Sequence, residues 1–460
     1  MKPTIDSFNR LSLGIMEKEG CQPGDAVRKL KSLTLNVLCG EAIRHSLPLQ
    51  AALLTTINTT KRAFLGGVSV QMPPRVACLL PWPQKKSLNA IVEELGGSLI
   101  SALPTQNFTL TFGLPAQIDD NQLQIVCSDW QGGVMANGEP SPFDADGTIP
   151  TAGVFAGGLG ATLAFLRLSG MEIAAGDESV GLSLWRPDLH WLDPLAKGPA
   201  VALLPQKYWL LGLGHLGQAY LWNIGLLPYI DPQEVSILLQ DPERIVKANW
   251  CAGLLTTKNA AGHYKTRWCS LWLEQRQFNT MITERRFDEH TRRACEEPFV
   301  ALCGFDTAGS RLHLEATGFD LIVEAGLGGN LATFDRATLH TFPDARQTPQ
   351  AIWDAAGEAE INPVVLSILQ KQLKDPCGIV PLTIAGKAVS ASFVGACTGA
   401  LALGELLRGL HGGIRFDKIS LQLRDLNSIR AIRHEKNTYT TEQARNGFLT
   451  VRSAVPVPSF

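Results

Sequence analysis

The sequence predicts an α/β protein made of two related halves that form a pseudo-dimer within one chain, the first degenerate and the second active. Two observations carry this. The first is a strand that runs into a glycine turn: Tyr208-Trp209-Leu210-Leu211, then Gly212-Leu213-Gly214-His215-Leu216-Gly217. A second apolar run, Val235 to Leu239, ends at Asp241. Glycines of this kind let a backbone approach a phosphate, a helix N-terminus faces it, and the acid accepts from ribose hydroxyls; this is the Rossmann-like βαβ fingerprint. The second observation is a repeat. Residues 149–170 (IPTAGVFAGGLGATLAFLRLSG) and 388–410 (AVSASFVGACTGALALGELLRGL) each predict a helix with Gly and Ala on one side and Leu and Phe on the other. Each leads into a short strand followed by Arg and Asp: Leu182-Ser183-Leu184-Trp185 before Arg186 and Asp188, and Ile419 to Leu423 before Arg424 and Asp425. Matches recurring in the same order argue for a duplicated unit.

Taken in order, the first half is expected over residues 1–195. Its strand Leu35-Asn36-Val37-Leu38-Cys39 ends at Gly40, as Tyr208 to Leu211 ends at Gly212. Glu41-Ala42-Ile43-Arg44 then follow, with neither of the later glycines, and a side chain there obstructs close approach to a phosphate. The boundary falls in the Pro/Gly/Ala-rich stretch from Pro194 to Pro205. The second half, 206–430, keeps the glycines. It includes a strand at Phe299-Val300-Ala301-Leu302 that runs into Gly304-Phe305-Asp306-Thr307, and strand ends are where α/β ligands bind. Residues 431–460 form a polar tail.

Composition excludes several classes. The chain of 460 residues is long enough for two or three domains and has a net charge of −2. Both signs are spread along it, with no basic block suited to nucleic acid or a lipid surface. Ten cysteines without a CxxC pair argue against a ribbon-type zinc site and fit a reducing, cytoplasmic setting. The opening MKPTIDSFNRL has no apolar signal core. Ile149 to Leu168, the longest apolar run, carries glycines and an arginine, as a close-packed core helix would.

Beyond Asp241 the second half keeps a polar series: Glu243, Asn249, Lys265, Asp306 and Arg311. Here the chain resembles the adenylation domain of ubiquitin-activating enzymes and of the ThiF/MoeB enzymes that activate sulfur-carrier proteins. That pattern is GxGxxG, DxD, Asn eight residues after the first Asp, Lys sixteen further on, and a later Asp with Arg five residues beyond. The positions are Gly212, Gly214 and Gly217; Asp241 and Glu243; Asn249; Lys265; Asp306 and Arg311. Phe8-Asn9-Arg10 matches the aromatic-Asn-Arg segment whose Arg reaches a neighbouring protomer's nucleotide. With fused halves, Arg10 would enter the second half's site. The likeness is good over 206–425, thin over 1–190, and absent from the tail.

The resemblance implies ThiF-type halves and binding of ATP and Mg²⁺. Gly212, Gly214, Gly217, Asp241, Glu243, Asn249 and Arg311 would lie at the nucleotide, and Asp306 would be the metal ligand. Lys265 and Arg10 would face the α-phosphate. It also implies a ubiquitin-like protein and a conjugating enzyme as partners, as in bacterial antiphage conjugation operons; homodimers remain open. Two departures stand out. The family's Arg and Gln after the Asn are here Ala252 and Gly253, with Lys247, Lys258 and Arg267 as nearby substitutes, and the usual zinc cysteines are absent.

The chemistry explains the residue types. A carboxylate becomes a good electrophile once its oxygen is a phosphate ester, but an anionic C-terminus must first approach an anionic triphosphate. Cations and Mg²⁺ offset that repulsion, and Mg²⁺ favours one or two carboxylates plus phosphate oxygens. The bland readings are a solvated helix lysine for Lys265, a turn cap for Asp306, a surface arginine for Arg10 and a helix-face residue for His215. Cys377, in the loop Lys374-Asp375-Pro376-Cys377-Gly378, reads equally as a structural cysteine or as the thiolate that takes the acyl group, with Lys371, Lys374 and Lys387 near enough in sequence to lower its pKa. Cys251, Cys269 and Cys397 read as structural. Three rivals remain: a nicotinamide-dependent oxidoreductase, a nucleotide-binding scaffold without turnover, and adenylation that ends in sulfur transfer.

Overall fold

The computed structural model describes residues 9–115, 117–136, 138–144, 147–354, 361–372, 384–385, 387–435 and 445–451. The first half holds β1 (Thr34–Cys39), β2 (Gly67–Gln71), β3 (Ser98–Leu99), β4 (Thr109–Phe112), β5 (Gln122–Cys127), β6 (Gln131–Met135) and β7 (Val180–Ser183). They form one sheet in the order β3-β2-β1-β4-β5-β6-β7, parallel from β3 to β5 and antiparallel beyond. The second half holds β8 (Leu203–Pro205), β9 (Lys207–Leu211), β10 (Ser236–Gln240), β11 (Asn279–Thr283), β12 (Val300–Cys303), β13 (Leu321–Leu327), β14 (Arg336–Phe342), β15 (Phe416–Gln422), β16 (Asp425–Arg433) and β17 (Phe448–Thr450). Its main sheet runs β11-β10-β9-β12-β13-β14-β15-β16, again parallel for the first five strands and antiparallel afterwards. Counted from β1 and from β9, strand order and direction coincide, and the second sheet adds β16. The repeat is thus a repeat of topology. In each sheet the strand order reverses between the first and fourth strands, the place where α/β sheets bind ligands.

The helices are α1 (Arg10–Glu19), α2 (Pro23–Ser32), α3 (Leu47–Thr60), α4 (Leu88–Leu95), α5 (Thr151–Leu168), α6 (His215–Gly225), α7 (Lys265–Glu274), α8 (Ala308–Arg311), α9 (Pro349–Trp353), α10 (Pro363–Gln372) and α11 (Ser392–Leu410). The two small-residue runs are α5 and α11. Both are long and apolar enough to cross a membrane, yet 89% and 94% of their apolar windows are buried inside the protein. Their glycines explain the packing. A Cβ at Gly157 would lie 2.3 Å from the Ala52 carbonyl oxygen of α3, and one at Gly399 would lie 2.9 Å from the Ala219 carbonyl of α6. A Cβ at Gly158 would meet Cys397 Sγ at 2.7 Å, so α5 also seats directly on α11. The four helices α3, α5, α11 and α6 therefore join the halves, and one apolar core runs through both.

Two boundaries differ from the sequence reading. β7 ends at Ser183 rather than Trp185, because the Ser183 hydroxyl accepts from Trp185 N at 3.1 Å and Arg186 N at 3.0 Å and turns the chain. β15 begins at Phe416. Residues 445–451 return to the second half: β17 pairs with β8, and Asn446 bridges Phe299 N (3.0 Å) and the Lys207 carbonyl (2.7 Å). The described cysteines are all free thiols.

Candidate active site

The ends of β9, β10 and β12 meet at one edge of the second sheet. β9 leads into Gly212, whose φ of 81° suits glycine and whose Cβ would lie 3.0 Å from the Gly304 oxygen beyond β12. A Cβ at Gly217 would fall 2.0 Å from the Gly212 oxygen, so glycine is what lets α6 start against the turn. Gly214 differs: a Cβ there meets nothing within 4 Å. It is the N-cap of α6 and makes no side-chain cap, which leaves helix-terminal N–H groups facing open space. An open cradle at a helix N-terminus suits a phosphate.

Asp241 follows β10 and is 5% exposed. Its Oδ2 accepts from Leu213 N in the glycine turn at 2.7 Å, and its Oδ1 from Glu243 N at 2.8 Å. Burial raises its pKa, opposed by Lys265 and these two N–H bonds. Lys265, the first residue of α7, is 6% exposed. Its Nζ lies 2.5 Å from Glu243 Oε2 and 3.7 Å from Asp241 Oδ2. Burial alone would lower its pKa, but Asp241, Glu243 and Asp306 outweigh it and the net shift is upward. Lys265 in turn lowers the pKa of the more exposed Glu243. Asp306 is exposed just past β12. The structure therefore gathers Gly212, Gly214, Gly217, Asp241, Glu243, Lys265 and Asp306 around one edge, with Lys265 a buried cation among carboxylates rather than a solvated helix lysine.

Asn249 shapes the next loop. Its Oδ1 accepts from Val246 N at 2.8 Å, and its carbonyl accepts from Gly253 N at 2.8 Å. Arg10 comes from the first half. Asn9 caps α1 by accepting from Leu11 N at 3.0 Å, and α1 packs against the Lys247–Cys251 turn of the second half. Burial lowers the Arg10 pKa. No carboxylate among the described residues pairs with its guanidinium, and its charge is felt by His215 in the glycine turn. Arg311 is committed inside the protein: Nε donates to Glu324 Oε1 and Nη2 to the Phe305 carbonyl, both at 2.6 Å. Of the nearby cations, Arg267 forms a two-pronged pair with Glu284 (2.7 and 3.0 Å), and Lys258 lies 5.0 Å over the Trp250 ring. Cys377 lies outside the described residues. No group of three or more His, Cys, Asp or Glu side chains among the described residues is arranged to hold a metal alone.

Sequence reasoning missed Gln218 and Arg62. Gln218, on the buried face of α6, donates to the Leu213 carbonyl (3.2 Å) and accepts from Leu255 N (2.9 Å) and Thr256 Oγ1 (3.0 Å). A Cβ at Gly253 would lie 2.6 Å from Gln218 Oε1, so the glycine that departs from the family pattern is required by this contact. Arg62, 1% exposed in the first half, donates to the carbonyls of Trp250, Thr256 (3.2 Å) and Leu254 (3.1 Å) in the second. A polar residue on an apolar helix face flags Gln218; nothing in the spacing flags Arg62. His215 is more than a helix-face residue: its Nδ1 pairs with Ser390 Oγ at 2.8 Å, Nε2 is enclosed against Gly395, and burial pushes its pKa down to about 4.

The equivalent turn of the first half is filled. A Cβ at Gly40 would lie 2.4 Å from the Gly113 oxygen and 2.7 Å from Leu114 Cδ2. A 3₁₀ turn, Glu41–Arg44, follows it, with Arg44 bonded to Glu41 (2.6 Å) and to the Pro74 carbonyl (3.1 Å).

Comparison with known proteins agrees with this architecture. Residues 34–184 match the BilD N-terminal domain and residues 204–413 the BilD C-terminal domain. The bacterial E1-like protein BilD of Collimonas sp. (strain OK412) is 37% identical over 401 residues, 86% of either chain. Solved structures of E. coli MccB, one with MccA-N7isoASN and one with AMPCPP and MccA, align at a TM-score of 0.32 with 13% and 12% identity. The chain spans 64% of their length and is itself half covered, too slight a likeness to argue from. The matches to both domains and to the Collimonas protein make the chain a member of the BilD family of bacterial E1-like proteins.

Proposed function

We propose that this protein uses ATP to adenylate the C-terminal carboxylate of a ubiquitin-like protein, takes the acyl group as a thioester on a cysteine, and passes it to a conjugating enzyme. Membership of an E1-like family supports the first step. The single observation that carries it is the open glycine cradle at Gly214, flanked by buried Lys265, which is held by Asp241 and Glu243. A nicotinamide-dependent oxidoreductase would leave the spacing of Asn249 and Lys265 and the doubled architecture unexplained.

The residues present fit ATP with Mg²⁺. The α6 N-terminus offers N–H groups for phosphate, and Asp241 would accept from ribose hydroxyls. Asp306, exposed at the strand end, would hold Mg²⁺, whose role is to neutralise phosphate charge. Lys265 is kept protonated by its acidic neighbours and would face the α-phosphate, where charge develops. Arg10, without a carboxylate partner among the described residues, would bring a second positive charge from the first half. The attacking carboxylate oxygen forms a bond to the α-phosphorus, and pyrophosphate leaves with the electron pair of the broken P–O bond. Cys377 is the candidate thiolate: its sulfur attacks the acyl carbon and AMP departs.

The test is ATP–pyrophosphate exchange driven by the cognate ubiquitin-like protein. Asp306→Ala should lower exchange at least about 10²-fold, the scale for losing one preorganised electrostatic group. Exchange close to wild type would overturn its assignment.

A further inference from the structure

The sequence places Arg311 at the nucleotide, whereas the structure shows its guanidinium joining two protein groups. Nε donates to Glu324 Oε1 and Nη2 to the Phe305 carbonyl, each at 2.6 Å. That carbonyl belongs to the peptide linking Phe305 to Asp306. Glu324 lies in β13 and is 1% exposed. Its other oxygen faces His340 Nδ1 at 3.3 Å. The pairing of three adjacent strands sets this row, with Cys303 opposite Glu324 and Glu324 opposite His340. Rings close the far side: His340 stacks on Phe342 and meets the edge of Trp353, and Arg311 lies 5.5 Å over the Trp353 ring. The Asp306 carboxylate, by contrast, makes no hydrogen bond with any described residue.

We propose that Glu324 and Arg311 are positioning residues for the metal-binding carboxylate. Glu324 fixes Arg311, Arg311 fixes the peptide carbonyl beside Asp306, and neither touches the nucleotide. The argument is geometric. Asp306 is exposed and its carboxylate is hydrogen-bonded to no described residue, so its direction is set by its backbone. Among the described residues, the one side chain holding the adjacent peptide is Arg311, and a guanidinium with two prongs in fixed geometry transmits position where a flexible ammonium would not. A buried carboxylate on a central strand supplies the rigid end of the bridge. The inference rests on the reading of Asp306 given above.

The experiment measures ATP binding to the full chain by calorimetry, in EDTA and with Mg²⁺. Variants are Asp306→Asn, Glu324→Gln, Arg311→Lys, and the pair Arg311→Gln with Glu324→Gln, which leaves no unmatched buried charge. Thermal unfolding checks that each is folded. In the wild type, Mg²⁺ should tighten ATP binding, and Asp306→Asn should abolish that gain. Glu324→Gln and the double variant should bind metal-free ATP within about twofold of wild type but lose about tenfold in the presence of Mg²⁺, since losing a partner that orients a metal ligand costs about 10–100-fold in metal affinity. Arg311→Lys, which can reach Glu324 or the carbonyl but not both, should fall between. Weaker metal-free binding in Arg311→Lys and the double variant would mean that Arg311 contacts the nucleotide, and would overturn the proposal. So would an unchanged Mg²⁺ gain in Glu324→Gln while Asp306→Asn loses it. Should Asp306→Asn itself keep the gain, the reading of Asp306 falls and the positioning role falls with it.

Discussion

Replacing Lys265 with glutamine tests the electrostatics of the site most directly. The ammonium is 6% exposed and lies 3.7 Å from the buried Asp241 carboxylate and 2.5 Å from Glu243. At an effective dielectric constant near 20, a pair 3.7 Å apart attracts by about 4 kcal/mol before desolvation is counted. Removing one partner of a buried pair costs about 3–5 kcal/mol, because the other charge is stranded. Glutamine can still donate, so a loss of about 3 kcal/mol near pH 8 is expected by urea unfolding. The sign of the pH dependence follows from Asp241, whose pKa burial already raises. Without the lysine it rises further, so the folded variant takes up a proton more readily than the unfolded chain, and its stability recovers as pH falls. The gap between wild type and variant should therefore be widest at pH 8 and narrow by pH 5. Pyrophosphate exchange should fall about 10²–10³-fold at either pH. A stability gap independent of pH, together with exchange within threefold of wild type, would refute this account of the lysine.

Three other outcomes are expected. Arg62→Met should cost about 3–5 kcal/mol in chemical unfolding, since it strands three carbonyls of the 250–256 loop, and should weaken ATP binding through that loop; unaltered affinity would separate the loop from the site. His215, neutral in the fold with a pKa near 4, should make the protein lose about 1.6 kcal/mol between pH 6.5 and pH 5, because the unfolded ring takes up a proton first. His215→Gln should flatten that limb of the urea midpoint against pH. Cys377→Ala should leave exchange intact and remove any reductant-sensitive conjugate on a denaturing gel; a surviving conjugate would acquit that cysteine.

What could be read in the sequence was whatever leaves a local pattern. The glycine turn, Asp241 and the spacing to Lys265 are such patterns, because each reflects backbone geometry within one βαβ unit. The duplicated topology was legible through α5 and α11, whose glycines mark close helix contacts wherever they fall. Residues that act across the halves leave no such trace. The run Thr55-Thr56-Ile57-Asn58-Thr59-Thr60 is polar in composition yet at most 1% exposed, because that end of α3 faces the other half. There Trp222 Nε1 donates to Thr55 Oγ1 at 3.0 Å, and Asn58 donates to the Leu254 carbonyl at 3.1 Å. Arg62 was invisible for the same reason, and Glu324 for a different one: its partners within the second half are set by strand register, not by spacing. Arg311 fitted the family spacing, but the sequence alone does not reveal which way a guanidinium turns.

Joining the two halves in one polypeptide has a further effect. A protein that pairs with its own copy must carry identical residues on both sides of the symmetry axis, so any substitution that closes one pocket closes the other. Here Leu114 and the Glu41–Arg44 turn crowd Gly40, while the space beside Gly214 is open. Covalent linkage makes that asymmetry heritable and leaves the surface of the first half free to diverge on its own.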